Sequence, residues 1–354
     1  MKKKILFVLS TLTGGGAERV ALTFMNDIDT SKYDVALVLL QEYGEYLNQI
    51  PEHVNVHILH KKRTLFSIFS LKKTIEEIDP DIVYATLFHT SIATYFASFF
   101  SRNKKHKMIL RCPTSPKRII EEKEISLPYI MTLRYIYNRV DMVMAQTPEM
   151  KNELHQYFNV HADKIVSFLN PINYTKIDTE IKKGTNPFQK NRINLVAAGR
   201  LSPEKGFDVL IRAFKKVHNK NNAFFLNILG KDEGEYDNLM ILIKDLSLEN
   251  DVKLWGFQDN PYLFFYHADL FVLSSKIEGL PNAVLENLYL QKPVVATECI
   301  PFMHTLIDHG QNGYIVPVDD IDALANAILS YKDLPNNKPF SLKTGNINEL
   351  LEYV

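Results

Sequence analysis

Residues 3–19 read KKILFVLSTLTGGGAER, and this stretch decides the fold class at the start of the chain. Two lysines precede an apolar run from Ile5 to Leu9, which has the length of one buried strand and is too short for a membrane span or a signal-peptide core. Three glycines follow, and apolar residues then recur at helical spacing from Val20. The stretch therefore predicts a strand, a tight loop and a helix, the first repeat of a parallel α/β sheet.

The same alternation of short apolar runs and helical segments continues along the 354 residues, about twice a usual domain length. We expect an α/β protein with two domains, residues 1–170 and 192–340, a polar linker at 171–191 and a tail at 341–354. The candidate strands are Lys4–Leu9, Asp34–Leu40, Asp81–Thr86, Lys107–Leu110, Asp141–Gln146, Ile193–Ala198, Phe224–Leu229, Val252–Trp255, Asp269–Leu273 and Pro293–Ala296.

Composition limits the possible functions. The chain has 41 basic and 41 acidic residues, so its overall charge gives no case for a nucleic-acid partner. Its two cysteines, Cys112 and Cys299, lie far apart and outside any Cys/His cluster, which argues against a disulfide scaffold and a zinc site. We therefore expect a protein of a reducing, cytoplasmic compartment.

The first glycine cluster, Gly14–Gly16, follows a predicted strand and opens a predicted helix. Such a loop lets backbone N–H groups and a helix N-terminus approach an anion closely. A tight turn with no ligand would use the same residues. A nicotinamide-binding loop is a weaker interpretation, because the third glycine of that pattern is replaced by Arg19 and only Glu42 could bind a ribose.

A second loop, residues 199–206, contains Arg200 and Lys205 between a predicted strand and a predicted helix. Two cations at one helix start could bind a diphosphate and offset the charge that builds as it leaves. The alternative is a solvated loop.

A third cluster, residues 274–286, reads SSKIEGLPNAVLE and places seven residues between Glu278 and Glu286. The Pro281-Asn282 pair predicts a helix start, which leaves Glu278 in the loop at a strand's carboxyl end and puts Glu286 in the second helical turn. Ligands bind at that end of an open α/β sheet, and a carboxylate there can accept hydrogen bonds from sugar hydroxyls. One acidic pair on a solvated surface would look the same.

Together these loops resemble the family 4 retaining glycosyltransferases of the type B fold (GT-B), in which two Rossmann-like domains face a central cleft. The resemblance rests on Gly14–Arg19, on Gly199-Arg200 with Lys205-Gly206, on the two glutamates and on Asn312-Gly313. It covers nearly the whole chain. It implies transfer of a sugar, with retention, from a nucleotide-diphosphate donor such as a UDP-sugar, with no metal and no other cofactor.

The resemblance also assigns roles to the loop residues. Arg200 and Lys205 would bind the donor diphosphate, and Glu286 would bind the ribose. Glu278, with the backbone of Gly279, Leu280 and Asn282, would hold the sugar and phosphates, and Gly15 and Gly16 would reach the same diphosphate. We treat Glu278, Arg200 and Lys205 as the catalytic candidates.

Two further residues are acceptor-side candidates. His89 lies just past a predicted strand end, where it could contact sugar or acceptor, although a lone histidine is more often packed or solvated. Arg111 stands where many relatives carry a histidine that contacts the donor sugar, and it could instead bind an acceptor phosphate.

The segment Lys61–Arg118, called here the basic segment, holds twelve basic and four acidic residues with interleaved aromatics. This mixture suits an anionic membrane surface, although an amphipathic helix with a wet charged face has the same composition. We expect a lipid-diphosphate-linked saccharide as acceptor and a peripheral location on the cytoplasmic face of the cell membrane. The alternatives are a soluble transferase acting on a small sugar phosphate and a non-catalytic protein that binds nucleotide sugars.

Overall fold

The computed structural model describes residues 2–103, 105–121, 125–335 and 342–353. The chain divides into two compact units. The first unit comprises Met1–Pro171 together with Thr344–Val354, and the second comprises Ile172–Lys343.

The first unit is built on a seven-stranded parallel sheet in the order β3-β2-β1-β4-β5-β6-β7. Its strands are β1 (Lys3–Leu9), β2 (Tyr33–Leu39), β3 (Asn55–Ile58), β4 (Ile82–Thr86), β5 (Lys107–Arg111), β6 (Met142–Ala145) and β7 (Ile165–Ser167). Its helices are α1 (Gly16–Asp27), α2 (Ile68–Ile78), α3 (Phe88–Phe100), α4 (Pro116–Glu121), α5 (Leu127–Tyr137) and α6 (Pro148–Phe158).

Central strands of this sheet are covered on both faces, which explains why they read as continuous apolar runs. Residues Ile5–Leu9 of β1 and every residue of β4 are buried. On α1, the apolar residues Val20, Ala21, Phe24 and Met25, which recur at helical spacing, are all buried. The apolar pattern therefore fixes which face of each element meets the sheet.

The second unit repeats this plan with a six-stranded parallel sheet in the order β10-β9-β8-β11-β12-β13. Its strands are β8 (Ile193–Ala198), β9 (Phe224–Leu229), β10 (Val252–Leu254), β11 (Leu270–Leu273), β12 (Val294–Thr297) and β13 (Gly313–Val316). Its helices are α7 (Tyr174–Glu180), α8 (Phe207–Lys220), α9 (Tyr236–Asp245), α10 (Pro261–His267), α11 (Asn282–Tyr289), α12 (Met303–Leu306) and α13 (Ile321–Leu329).

Strand order reverses between β1 and β4 in the first sheet and between β8 and β11 in the second. The loops that leave the carboxyl ends of such a strand pair run to opposite faces of the sheet, and the crevice between them is where open α/β sheets bind ligands.

The predicted α/β class is confirmed, and each of the ten candidate strands is present to within about two residues. The sequence did not identify β3, β7 and β13, which are all edge strands.

The domain boundaries differ from the sequence expectation. The first unit ends at Pro171, one residue from the expected 170, but most of the expected linker 171–191 belongs to the second unit and includes α7. Helix α7 was missed because its seven residues bury only Ile177, too few for a helical period to be visible. The expected border at 340/341 lies outside the described residues.

The tail returns to the first unit. Its helix α14 (Ile347–Leu351) lies beside α1, where the side chain of Asn348 accepts a hydrogen bond from the backbone N–H of Asp29 at 2.9 Å. The same side chain donates to the carbonyl of Asp27 at 2.8 Å. A short amphipathic segment at the end of a chain carries no signal of its partner, so the sequence could not place it.

No helix among the described residues has the length and apolar character needed to cross a bilayer.

We predict that Leu350→Ala destabilises the first unit, because Leu350 is 1% exposed on α14, the tail helix that lies beside α1. Removing a buried leucine side chain costs about 2–5 kcal/mol of unfolding free energy. Scanning calorimetry measures the effect, with Tyr353→Ala as control because Tyr353 is 80% exposed. Equal stability of the two variants would contradict the packing of the tail.

Candidate active site

The loops after β8 and β11 meet at the switch point of the second sheet. There the ammonium Nζ of Lys205 lies 2.6 Å from Oε1 of Glu278, and the two side chains are 16% and 14% exposed. The residues are 73 positions apart in the chain. The sequence predicted that each lies at this strand edge, and the structure brings them into direct contact.

Glycines allow the backbones of neighbouring loops to approach one another closely. Gly206 has a φ of +62°, and a Cβ there would lie 2.3 Å from the carbonyl oxygen of Ser274. A Cβ on Gly230 would lie 1.6 Å from the carbonyl oxygen of Gly199. Only residues without a side chain fit at these two positions, and their contacts hold the Lys205 loop against its neighbours.

Arg200 lies on the same loop and is more exposed, at 44% of its side chain. Its Nη1 lies 3.0 Å from Oε2 of Glu233, and its Nη2 lies 3.4 Å from Oε1 of Glu204. Exposed ion pairs of this kind are weak, so a bound anion can replace the two carboxylates at small cost.

Glu278 has a second partner that the sequence did not reveal. The hydroxyl of Ser275 donates to Oε1 of Glu278 at 2.8 Å, and the carbonyl of Ser275 accepts from the hydroxyl of buried Thr297 at 2.5 Å. Burial beside Glu278 raises the pKa of the Cys299 thiol to about 12. The carboxylate is therefore held in place by a cation, a hydroxyl and a neighbouring strand end.

Helix α11 begins at Asn282, as the Pro281-Asn282 pair predicts. This leaves Glu278 and Gly279 in the loop and places Glu286 in the second turn, where it is 6% exposed. Leu280 is 5% exposed and anchors the loop in the apolar core.

In the first unit, the glycine loop Gly14–Gly16 joins β1 to α1. Gly14 has a φ of +86°, Gly15 is the N-cap residue of α1, and Gly16 is the first helical residue. The loop therefore presents the N-terminus of a twelve-residue helix at the carboxyl edge of the sheet.

His89 is the second residue of α3, just beyond the carboxyl end of β4. The residue is exposed to solvent. Partial desolvation by the surrounding protein lowers the pKa of its imidazole. The preceding Leu87 has a φ of +67°, a strained conformation for a residue with a γ-branched side chain. His89 is accessible to a ligand, as an acceptor-side residue must be.

Arg111, the other acceptor-side candidate, is 2% exposed at the end of β5. Its Nη2 donates to Oδ1 of Asn170 at 2.9 Å, and its Nη1 lies 3.4 Å from the hydroxyl of Thr86. The amide of Asn170 donates in turn to Gln146 at 3.2 Å. The structure thus places Arg111 in a buried polar network and not at an open phosphate-binding surface.

Comparison with known proteins gives the family. Residues 14–176 match the family described as Glycosyltransferase Family 4, and residues 178–344 match the family described as Glycosyl transferases group 1. The two matches together span residues 14–344, and both describe glycosyltransferases, so the chain is a glycosyltransferase of the family 4 type. The predicted family is confirmed over both units, and the loops described above are parts of a glycosyltransferase.

Three similar proteins set the scale of the resemblance. An uncharacterized glycosyltransferase of Methanocaldococcus jannaschii is 33% identical over 65% of this chain and 59% of its own. The N-acetylgalactosamine-N,N'-diacetylbacillosaminyl-diphospho-undecaprenol 4-alpha-N-acetylgalactosaminyltransferase of Campylobacter jejuni is 27% identical over 92% of this chain and 88% of its own. Anabaena HepE, solved with UDP and glucose, has a TM-score of 0.74 at 22% identity, covering 92% of this chain and 89% of HepE. That last likeness confirms the predicted GT-B fold.

We predict that Gly206→Ala destabilises the second unit by roughly 1–3 kcal/mol, because a Cβ would strain the backbone and collide with the Ser274 carbonyl. The matched control is Gly234→Ala. Gly234 also has a positive φ, +101°, but a Cβ there meets nothing within 4 Å. Denaturant unfolding should show a clearly larger loss for Gly206→Ala, and equal losses would contradict the close approach of the two loops.

Proposed function

We propose that this glycosyltransferase moves a sugar from a UDP-sugar to a lipid-diphosphate-linked saccharide, with retention of anomeric configuration and without a metal. The observation that carries the donor half of the proposal is the contact between Lys205 and Glu278 at the switch point. It puts a cation for phosphate and an acceptor of hydroxyl hydrogen bonds side by side, as a diphosphate-linked sugar requires.

The donor-binding roles that we propose combine these positions with the roles that the family resemblance implies. Lys205 and Arg200 bind the diphosphate, with Glu233 and Glu204 released from Arg200 when the anion arrives. Glu278 accepts hydrogen bonds from the sugar hydroxyls, with its orientation kept by Ser275. The start of α11, from Gly279 to Asn282, adds backbone N–H groups, Glu286 binds the ribose, and Gly15 and Gly16 add N–H groups to the diphosphate.

The chemical step needs charge stabilisation more than covalent help from the protein. The bond between the anomeric carbon and the diphosphate oxygen breaks, and its electron pair stays on the diphosphate. The acceptor hydroxyl then bonds to the anomeric carbon on the same face and gives its proton to a diphosphate oxygen. Lys205 and Arg200 stabilise the negative charge that develops on the leaving group.

The choice of UDP and of the acceptor is supported by the similar proteins. HepE was solved with UDP, and the name of the Campylobacter jejuni relative gives a diphospho-undecaprenol-linked acceptor. A lipid-linked acceptor lies at a membrane, so the enzyme needs a surface that binds a bilayer.

The first unit has exposed apolar side chains that suit this role, and we call them the aromatic patch. The 3-10 turn Thr64–Ser67 before α2 lies against the helix α3. Five large apolar side chains are exposed on these elements, between 50% and 76% of each side chain: Leu65, Phe66, Phe69, Phe99 and Phe100. Exposed apolar residues in this number mark an interaction surface.

Helix α5 extends the patch. Its exposed residues Leu127, Met131 and Tyr135 recur every four positions and so form one stripe along the helix. Tyr135 touches Tyr95 of α3, with 6.1 Å between the ring centroids. The apolar stripe therefore adjoins the helix that carries Phe99 and Phe100, and it lies outside the basic segment that the sequence indicated.

Charges beside the patch favour an anionic bilayer as its partner. Lys62 and Arg63 are exposed immediately before the 3-10 turn. Two other cations of the basic segment form ion pairs, Lys72 with Glu76 and Lys107 with Asp141. Lys104 lies outside the described residues. We propose a peripheral position on the cytoplasmic membrane face, with the aromatic patch inserted among the headgroups.

We predict that one nucleotide sugar of a panel, a UDP-sugar, stabilises the protein against heat. A ligand at 100 times its dissociation constant adds roughly 2.7 kcal/mol of stability. Glu278→Ala should abolish most of the shift, whereas Glu249→Ala, which removes an exposed carboxylate of the same unit, should keep it. Transfer assays with the donor thus found, with and without EDTA, and NMR of the product anomer test metal independence and retention. No shift with any nucleotide sugar would contradict the donor site.

We also predict that the protein sediments with vesicles containing phosphatidylglycerol and less with phosphatidylcholine alone. Phe66→Ser and Phe69→Ser should each lower the partition coefficient about tenfold, the order expected for one inserted phenylalanine. Ile241→Ser is the control, because Ile241 is an equally exposed apolar residue, at 60%, on a helix of the second unit. Unchanged binding of both phenylalanine variants would leave the membrane role of the patch without support and favour a soluble acceptor.

A further inference from the structure

The loop that follows β2, residues 41–46, is joined by backbone hydrogen bonds to the segment that leads from β1 to the glycine loop. We call it the β2 loop. The N–H of Leu12 donates to the carbonyl of Tyr43 at 2.9 Å, and the N–H of Tyr46 donates to the carbonyl of Leu12 at 3.0 Å. Both backbone groups of Leu12 are therefore bound by the same neighbouring loop.

Gly44 of the β2 loop lies directly against this backbone. Its φ is +129°, a value that glycine adopts readily and that strains other residues. A Cβ at Gly44 would overlap the carbonyl group of Leu12 and lie 2.6 Å from the backbone nitrogen of Thr13. Any side chain at this position must push the two segments apart or change their conformation.

Burial makes these hydrogen bonds costly to break. Leu12 is 0% exposed and Tyr46 is 7% exposed. A buried N–H or carbonyl group that loses its partner keeps the full cost of its desolvation. The contact between the β2 loop and Leu12 is therefore a fixed part of the protein without any ligand.

The contact ends close to the glycine loop. Only residues 13–15 lie between Leu12 and the start of α1 at Gly16. The other end of the loop is fixed by α1, whose Val20 and Phe24 are 2% and 0% exposed. A glycine-rich segment with free ends has many conformations, and an anion that binds it must order them. With both ends fixed, less of that cost falls on binding.

We propose that Gly44 is a positioning residue, which lets the β2 loop hold Leu12 and so keeps the glycine loop in its diphosphate-binding conformation before the ligand arrives. The inference rests on the proposed function for the identity of that ligand, the diphosphate of a UDP-sugar. The action of Gly44 passes through the backbone of Leu12 to the N–H groups of Gly15 and Gly16.

The test is Gly44→Ala in the full chain, assayed well below the midpoint of its thermal unfolding. KM for the UDP-sugar should rise about tenfold, with a smaller change in kcat, because a loosened loop weakens binding of the diphosphate. A tenfold change is about 1.4 kcal/mol, which is comparable to the cost of ordering one backbone residue. Titration calorimetry with UDP should show a loss of affinity by the same factor.

Gly345→Ala is the matched control. Gly345 also belongs to the first unit, and a Cβ there would overlap the ring of Phe168 and the carbonyl of Leu169. The collision is of the same kind, but neither neighbour is part of the glycine loop or the β2 loop. Gly345→Ala should lower the midpoint of thermal unfolding and leave KM near the wild-type value. Equal KM values in the two variants would assign Gly44 a purely structural role and overturn the proposal.

If Gly44→Ala does not fold, hydrogen exchange of the wild-type protein decides. The amides of Leu12 and Tyr46 should be protected without ligand, and UDP should slow exchange mainly at Gly15 and Gly16, whose N–H groups lie at the start of the helix. Amides of Leu12 and Tyr46 that exchange freely until UDP is added overturn the proposal, because the ligand then orders the segment. Binding of UDP without slower exchange at Gly15 and Gly16 overturns it as well.

The outcomes separate this inference from the proposed function. Sugar transfer with a KM that Gly44→Ala leaves unchanged overturns the inference and leaves the proposed function intact. If wild type transfers no sugar, the proposed function fails, and titration with UDP and with pyrophosphate decides the inference. Binding that is about tenfold weaker in Gly44→Ala but not in Gly345→Ala supports it. Equal affinities, or no binding by wild type, overturn it.

Discussion

Parallel pairing of β8 with β11 is the constraint on which the proposed donor site depends. It brings the carboxyl ends of two strands together although 73 residues separate Lys205 from Glu278. The close approach of Gly206 to the Ser274 carbonyl then sets the distance between the two loops. With the backbone fixed in this way, the ion pair forms before any ligand arrives, and little ordering of side chains is left for binding.

The first unit uses the same topology for a different electrostatic problem. Pairing of β1 with β4, and of β4 with β5, places the glycine loop and Arg111 at one edge of the sheet. A buried arginine is costly unless it is hydrogen-bonded and near an opposite charge. Asn170 and Thr86 meet the first condition, so the hydrogen-bonded network stabilises the buried guanidinium.

Exposure divides the basic segment into parts with different physical roles. Arg111 is in the core, Lys72 and Lys107 pair with acids, and Phe66 and Phe69 project from the surface. Composition alone gave all of these residues the same interpretation. An apolar surface flanked by cations is suited to a membrane, whereas the buried and paired cations contribute to the fold of the unit.

The sequence by itself determined the α/β class and ten of the strands, because strands that are buried on both faces appear as continuous apolar runs. It also determined the helix start at Asn282 and the loops that hold Lys205 and Glu278, because turn residues are a local signal. Only the tertiary structure decided the rest. Strands β3, β7 and β13 were not identified from the sequence, and each lies at a sheet edge, where pairing on one side requires no continuous apolar run. The burial of Arg111 and the return of α14 to the first unit depend on contacts between residues distant in sequence, which no local pattern encodes.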